Sequence, residues 1–127
     1  KKSKSYRYAG SDNVNVVAWY GSNSSGTTHP VGTKQPNELG IYDMSGNVWE
    51  WCSDWLAPYS AEALVNPIGP ATGAYHVYHG GGWEHVALQC RISHRRNTLE
   101  GYVKTALGLR IALREKVEPW FSYSPCL

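Results

Sequence analysis

The apolar positions of this chain come in short runs that glycine, proline and asparagine interrupt every few residues. Residues 15–20, NVVAWY, predict a short helix or strand that buries Val16, Val17 and Trp19. Residues 75–78 alternate weakly between polar and apolar, and residues 107–113 alternate as a closing strand. The pattern predicts short elements joined by loops and leaves the fold class open.

The segment 36–55, PNELGIYDMSGNVWEWCSDW, joins turn residues to a large aromatic content. Its Ser-Gly-Asn step favours a turn, because glycine and asparagine tolerate the left-handed backbone region. Trp49, Trp51 and Trp55 follow, and we expect them to share one core with Trp83. Glu50 lies between two tryptophans, so its carboxylate needs a charged partner, a hydrogen bond or a metal ion.

Length and charge exclude several classes of protein. A chain of 127 residues with 42% hydrophobic residues predicts a single domain over residues 1–127 with a real core. The net charge of +2 is too small to indicate nucleic-acid binding. No apolar run approaches the roughly 20 residues of a membrane-spanning helix, so we expect no membrane span. Residues 1–4 have no apolar stretch behind them that could act as a signal peptide.

Several motifs in a fixed order carry a resemblance to a known family. GIYDMSGNVWEW, CSDW, GGGW, CR and GLRIAL resemble the sulfatase-modifying-factor domain, the family of the formylglycine-generating enzyme, from about residue 6 to residue 113. The resemblance implies an α+β, irregular variant of the C-type lectin fold with low regular secondary structure. Family members usually carry a further N-terminal portion, so the sequence is either a fragment, which an additional chain or segment would complete, or a minimal version of the domain. Residues 114–127 are interpreted as a C-terminal tail.

The catalytic chemistry of the family is only partly matched. The formylglycine-generating enzyme holds copper between two cysteines, and the resemblance puts His85 at the first of these positions and Cys90 at the second. A thiolate beside an imidazole can still bind a soft metal. The alternative function is therefore a metal-dependent oxidase that uses Cys90 and His85, with His94 nearby. We expect no organic cofactor.

The same resemblance suggests a disulfide and a calcium site. Cys52 and Cys90 stand at positions that are both cysteine in many bacterial members, so they form a disulfide in an oxidising compartment or remain two buried thiols. Calcium in the family lies at the turn matched by Gly46, Asn47, Val48 and Glu50. The alternative is that Asn47 and Glu50 make hydrogen bonds within the protein and no metal binds.

The segment between GGGW and GLRIAL departs most from the family's usual sequence, whereas these two flanking motifs match it. This layout resembles the variable proteins of diversity-generating retroelements, bacterial or phage proteins that display varied residues on this scaffold. It implies a non-catalytic domain that recognises a protein or glycan and favours an exported, cell-surface or phage-associated location. We expect Val86, Ile92, Leu107 and Leu109 to face inward. The predicted ligand-binding residues are Glu84, His85, Gln89, His94, Arg96, Asn97, Tyr102 and Lys104.

Overall fold

The computed structural model describes residues 4–59 and 69–112, so the predicted tail at 114–127 lies outside the described residues. Regular secondary structure in these segments is sparse, and none of the helices is long and apolar enough to cross a membrane. The prediction of an irregular α+β, C-type lectin-like fold is confirmed. In chain order the elements are α1 (Val14–Val17), β1 (Trp49–Trp55), β2 (His76–His79), a 3-10 helix (Ala87–Cys90), β3 (Arg95–Thr98) and β4 (Leu107–Gly108).

The four strands form one sheet in the order β3, β2, β1, β4. The central strands β1 and β2 are antiparallel, as are β2 and β3, whereas β4 pairs with β1 in parallel. The predicted closing strand at 107–113 is shorter than expected, because only Leu107 and Gly108 pair with β1. The parallel pairing nevertheless brings this part of the chain beside Trp49 and Glu50.

One face of the sheet is lined by aromatic side chains and is called the aromatic face here. Tyr78 on β2 is the register partner of Trp51 on β1 and of Arg96 on β3. Paired residues project to the same side of an antiparallel sheet, and Trp49 joins them because it lies two residues before Trp51. The rings meet edge to face, with the Tyr78 centroid 5.1 Å from that of Trp49 and 5.9 Å from that of Trp51.

The main core cluster of the described residues lies around α1. Asn13 caps this helix by accepting a hydrogen bond from the backbone N–H of Asn15, so the predicted helix-or-strand segment begins as a helix. Val17 is buried as predicted, whereas Val16 and Trp19 are half-buried. The cluster consists of Tyr8, Val17, Ala18, Tyr20 and Cys90.

The prediction that four tryptophans share one core is wrong. Trp49 is only 2% exposed, but Trp51, Trp55 and Trp83 are half-buried. Alternation along β1 puts its tryptophans on the aromatic face, and this face is only partly covered. Trp55 instead stacks on His76 with ring centroids 3.8 Å apart.

The prediction that four apolar residues face inward also fails for three of them. Val86 is 64% exposed, Ile92 is 50% exposed and Leu109 is 69% exposed. The chain around the 3-10 helix reaches the core through Ala87 and Cys90, which leaves Val86 and Ile92 outside. Leu109 follows the last residue of β4, where the chain leaves the sheet. Leu107 alone is half-buried.

Backbone hydrogen bonds join the predicted Gly-Asn turn to the glycine-rich motif that ends in Trp83. The N–H of Gly46 donates to the carbonyl of Gly80 at 2.7 Å, and the N–H of Trp83 donates to the carbonyl of Asn47 at 2.8 Å. Gly46 and Asn47 have φ values of 80° and 64°, the region in which glycine and asparagine are tolerated best. Two motifs that are distant in sequence therefore form one rigid junction beside β1.

Cys52 and Cys90 are not joined by a disulfide, so of the two alternatives the structure has the one with separate thiols. Cys90 is a free thiol, fully buried in the core cluster near α1. Cys52 is a half-buried residue of β1 that lines a surface cleft on the sheet. The two side chains belong to different packing environments, which explains why they do not bond.

Candidate functional site

A small recess opens on the aromatic face where β1, β2 and β3 meet the loop that leads to β4. Its volume is about 10 Å³, close to the space that one water-sized group occupies. We call it the Trp49 recess. Its lining residues are Trp49, Tyr78, His85, Arg96, Tyr102, Lys104 and Leu107.

Trp49 and His85 form the fixed part of the recess. The indole N–H of Trp49 donates a hydrogen bond to Nδ1 of His85 at 3.2 Å, and the two rings meet edge to face. Backbone bonds hold both residues: the N–H of Trp49 donates to the carbonyl of Ala106, and the carbonyl of His85 accepts from Gly21. A neutral imidazole that accepts at Nδ1 carries its proton on Nε2, so His85 offers one N–H donor.

Two cations lie at the rim of the recess. The guanidinium of Arg96 is 5.7 Å from the ring of Trp49, and the ammonium of Lys104 is 5.8 Å from the ring of Tyr102. Both side chains are exposed. Within residues 4–59 and 69–112, neither forms an ion pair or a side-chain hydrogen bond. The rim therefore presents positive charge that the described residues do not neutralise.

Burial lowers the pKa values of the two histidines whose rings lie beside Trp49. Burial lowers the pKa of His85, Glu84 opposes this change, and Arg96 and Lys104 reinforce it. Burial also lowers the pKa of His94, whose ring centroid is 5.8 Å from that of Trp49. Glu84 is the acidic neighbour, with a carboxylate oxygen 3.8 Å from Nε2 of His85.

The structure brings together six of the eight residues predicted for ligand binding. His85, Arg96, Tyr102 and Lys104 line the recess, while Glu84 and His94 neighbour its histidine and its tryptophan. Gln89 and Asn97 are not among the lining residues. Gln89 belongs to the 3-10 helix, and Asn97 follows Arg96 directly in β3, so its side chain points to the opposite face.

A second, larger depression adjoins the recess. It has a volume of about 400 Å³ and is mostly apolar. Tyr102 belongs to the walls of both depressions, so they are neighbours. We call this depression the Trp51 cleft. Its lining residues are Trp51, Cys52, His76, Glu100, Gly101, Tyr102 and Val103.

The predicted calcium turn makes its hydrogen bonds within the protein. Asn47 is buried, and its side chain accepts from the N–H of His29 and donates to the carbonyl of His29, at 3.0 Å in each case. Gly46 and Val48 contribute no charged group. Among the described residues no cluster of three or more histidine, cysteine or acidic side chains could hold a metal ion.

Glu50 has the partner that its position between tryptophans demands. Arg110 donates two hydrogen bonds to the Glu50 carboxylate, at 2.7 and 2.9 Å, and a third to the carbonyl of Tyr42. This bidentate geometry is the strongest form of an arginine–carboxylate pair. A calcium ion on Glu50 would compete with a guanidinium already bound, so this arrangement favours the alternative without metal, and calcium stays a prediction.

The family membership follows from comparison with known proteins. Residues 1–115 match the family model of the sulfatase-modifying factor enzyme 1-like domain. The chain belongs to this family. The relatives described below are much longer than this chain, so the chain matches only one part of each of them.

Three proteins illustrate the range of relatives of this sulfatase-modifying-factor-type chain. The formylglycine-generating enzyme of Streptomyces coelicolor is 37% identical over 91 residues, which cover 68% of this chain and 29% of that enzyme. A Chlamydia pneumoniae protein named serine/threonine-protein kinase pkn1 is 40% identical over 89 residues, covering 67% of this chain and 14% of that protein. The solved structure of Treponema denticola variable protein 1 is 38% identical with a TM-score of 0.77, covering 82% of this chain and 39% of that one.

The candidate catalytic pair of the family looks different in this member. Burial raises the pKa of the Cys90 thiol to about 12, so the thiol is protonated near neutral pH. Cys90 packs in the core cluster, whereas Nδ1 of His85 accepts a hydrogen bond from the indole N–H of Trp49. Metal binding and nucleophilic attack both need a thiolate, so this environment works against the oxidase alternative.

Sequence reasoning missed the contributions of Trp49 and Tyr78 to the site. Trp49 was assigned to the core alone, although its ring also forms the floor of the recess. Tyr78 was not assigned at all. Alternation in residues 76–79 puts Tyr78 on one face of a strand, but which face bears the site depends on pairing that the sequence does not display.

Proposed function

We propose that this chain is a non-catalytic ligand-binding domain that recognises a protein or glycan through the side chains around the Trp49 recess. The observation that carries the proposal is a fixed aromatic floor flanked by two exposed cations that form no ion pair or side-chain hydrogen bond among the described residues. Scaffold and contact groups are thus separate, which lets the contacts change while the floor stays in place. A rigid floor also limits the entropy lost on binding.

The likeness to Treponema denticola variable protein 1 supports a finer proposal. We infer that the segment between the GGGW and GLRIAL motifs is diversified by a retroelement. The neighbouring DNA tests this directly: a reverse transcriptase gene and a near-identical repeat of the segment 76–113 are expected beside the coding sequence. A locus without either one refutes diversification but leaves ligand binding open.

Separation of scaffold and contacts is tested by replacing four exposed rim residues together, namely Glu84, Arg96, Tyr102 and Lys104, each with serine. Because exposed positions away from caps and cores are tolerant, we expect the free energy of unfolding to change by no more than about 1 kcal/mol. Replacement of the half-buried Tyr78 with serine is the matched control within the same recess. It should cost more, because it removes two aromatic contacts.

Metal analysis of the purified protein separates the binding domain from the oxidase alternative. A non-catalytic domain with a protonated, buried Cys90 should copurify with neither copper nor iron in stoichiometric amount. Stoichiometric copper that is lost on Cys90→Ser replacement would refute the proposal.

The stability experiment can refute it as well. If the fourfold serine variant is unfolded, the rim residues are part of the structural core and are not a separate contact surface.

A further inference from the structure

The Trp49 recess and the Trp51 cleft differ in chemistry although they share Tyr102. The recess is small and ringed by the cations of Arg96 and Lys104, whereas the cleft is larger and mostly apolar. A ligand that covers this surface must therefore place a group that complements the cations beside an apolar group that fills the cleft. The nature of each depression restricts what such a ligand can be.

The recess fits the end of an acidic side chain. At about 10 Å³ it admits a group the size of one carboxylate oxygen and not a sugar ring. The exposed guanidinium of Arg96 and ammonium of Lys104 supply charge-assisted donors, and Nε2 of His85 adds a neutral N–H. Glu84 opposes an incoming anion, but it is one carboxylate against two cations that have no other ion pair within the described residues.

The cleft fits an apolar side chain. Its walls include Trp51, Tyr102 and Val103, and its polar side chains include His76 and Glu100. A glycan in a cleft of this size would leave many hydroxyl groups without partners, which costs binding free energy. Aromatic walls with few polar groups instead suit an aromatic or aliphatic side chain of a protein.

We propose that the two depressions are adjoining subsites for a protein segment that presents an acidic side chain next to an apolar one. Tyr102 separates the subsites, so the two ligand side chains lie close together in the partner. The proposal rests on the ligand-binding function proposed above and narrows its ligand to protein. Positive charge at the rim further predicts that salt weakens the interaction.

Panning a random-peptide phage library on the immobilised domain tests the proposal without a known ligand. We expect enriched peptides to combine aspartate or glutamate with a nearby aromatic or aliphatic residue. A synthetic enriched peptide whose acid is changed to the amide should bind about tenfold more weakly or worse, because it loses charge-assisted hydrogen bonds. Chemical shift changes at the indole N–H signals of Trp49 and Trp51 should report its binding.

Matched variants of the domain identify the subsite. The Arg96→Gln, Lys104→Gln double variant should no longer distinguish acid from amide peptides, and the single Arg96→Gln variant should show part of this loss. Glu84→Gln should bind the acidic peptide more tightly, because it removes the opposing charge. Arg7→Gln removes an exposed cation that is absent from the lining of both depressions, and should change nothing.

The outcomes separate this proposal from the one it rests on. Failure to enrich any peptide, or enrichment of peptides without acidic residues, overturns the two-subsite proposal. Indole shifts with glucuronic acid but not with any peptide would overturn it too, while ligand binding as such would stand. Loss of peptide binding in the Arg7→Gln variant to the same extent as in the single Arg96→Gln variant, which removes the same charge, would show that the effect is only one of net charge and would overturn the two-subsite proposal.

Discussion

Gly81 offers a sharp test of how the site is held in place. It has a φ of 76° and is buried against the 3-10 helix. A Cβ atom at this position would lie 2.6 Å from Sγ of Cys90 and 2.9 Å from both the Cα of Cys90 and the carbonyl oxygen of Gln89. Two of these three are backbone atoms, so a side-chain rotation cannot relieve the clash. Gly81→Ala must therefore push the helix away from the sheet.

Gly26 provides the matched control, because its φ of 75° is almost the same while a Cβ there would meet nothing within 4 Å. Both alanine variants carry the left-handed strain, about 1–2 kcal/mol. Only Gly81→Ala adds overpacking of a buried contact, about 1–3 kcal/mol. We therefore expect Gly81→Ala to be the less stable of the two by about 2 kcal/mol.

Urea unfolding followed by tryptophan fluorescence measures this difference, and the midpoint of thermal unfolding should differ by about 8 °C in the same direction. Circular dichroism of both variants checks that they are folded before unfolding begins. Equal destabilisation of the two variants would show that the contact between Gly81 and Cys90 is not tight, and the reasoning from backbone distances would fail. An unfolded Gly81→Ala variant beside a folded Gly26→Ala variant would support it.

Two further predictions concern charge. Arg110→Met keeps an apolar stem but leaves the Glu50 carboxylate, whose side chain is 19% exposed, without its two donors; we expect a loss of about 1–2 kcal/mol in urea unfolding. The double variant Arg110→Met, Glu50→Gln should recover part of that loss, because no unpaired carboxylate is left. Strictly additive losses of the two single variants in a double-mutant cycle would contradict the pairing. Burial lowers the pKa values of His79, His85 and His94, so below the usual histidine pKa the unfolded state binds more protons and the free energy of unfolding should fall as pH drops from about 6.5. A pH series checks this, and stability that rises on acidification over that range would refute it.

The sequence allowed some local features to be predicted because they follow from neighbouring residues. A carboxylate between two tryptophans needs a partner whatever the fold, and Glu50 has one. The partner itself, Arg110, lies 60 positions away in sequence and meets Glu50 because β4 pairs with β1. Such a pairing depends on strand order, which alternation does not reveal. The need of the Glu50 carboxylate for a partner was therefore predictable, whereas its partner Arg110 was not.

Exposure of the apolar residues could not be predicted for a related reason. Alternation in β1 correctly places Trp49 and Trp51 on one face, but only neighbouring loops decide how far each is covered. Trp49 is covered by the loop that carries Ala106 and by His85, while Trp51 borders an open cleft. The same reason explains why Val86 and Ile92 are exposed although their residue type alone predicts that they face inward. Residue type predicts burial only when another element packs on that position.

The sequence predicts His85 as one of eight ligand-binding residues and, in the oxidase alternative, as a partner of Cys90, but its hydrogen bond to Trp49 ties it to the floor of the recess. Arg96 and Lys104 have no hydrogen bonds or ion pairs from their side chains among the described residues, so their replacement alters charge and the cation–ring contacts but removes no hydrogen bond. His85 accepts the indole proton of Trp49, and without it a donor that is almost fully buried loses its partner. Variation at the rim is thus compatible with this fold only where the side chain makes no bond to the floor. In the proposed binding function, His85 therefore supports the floor of the recess, and the proposal expects the varied contacts around it.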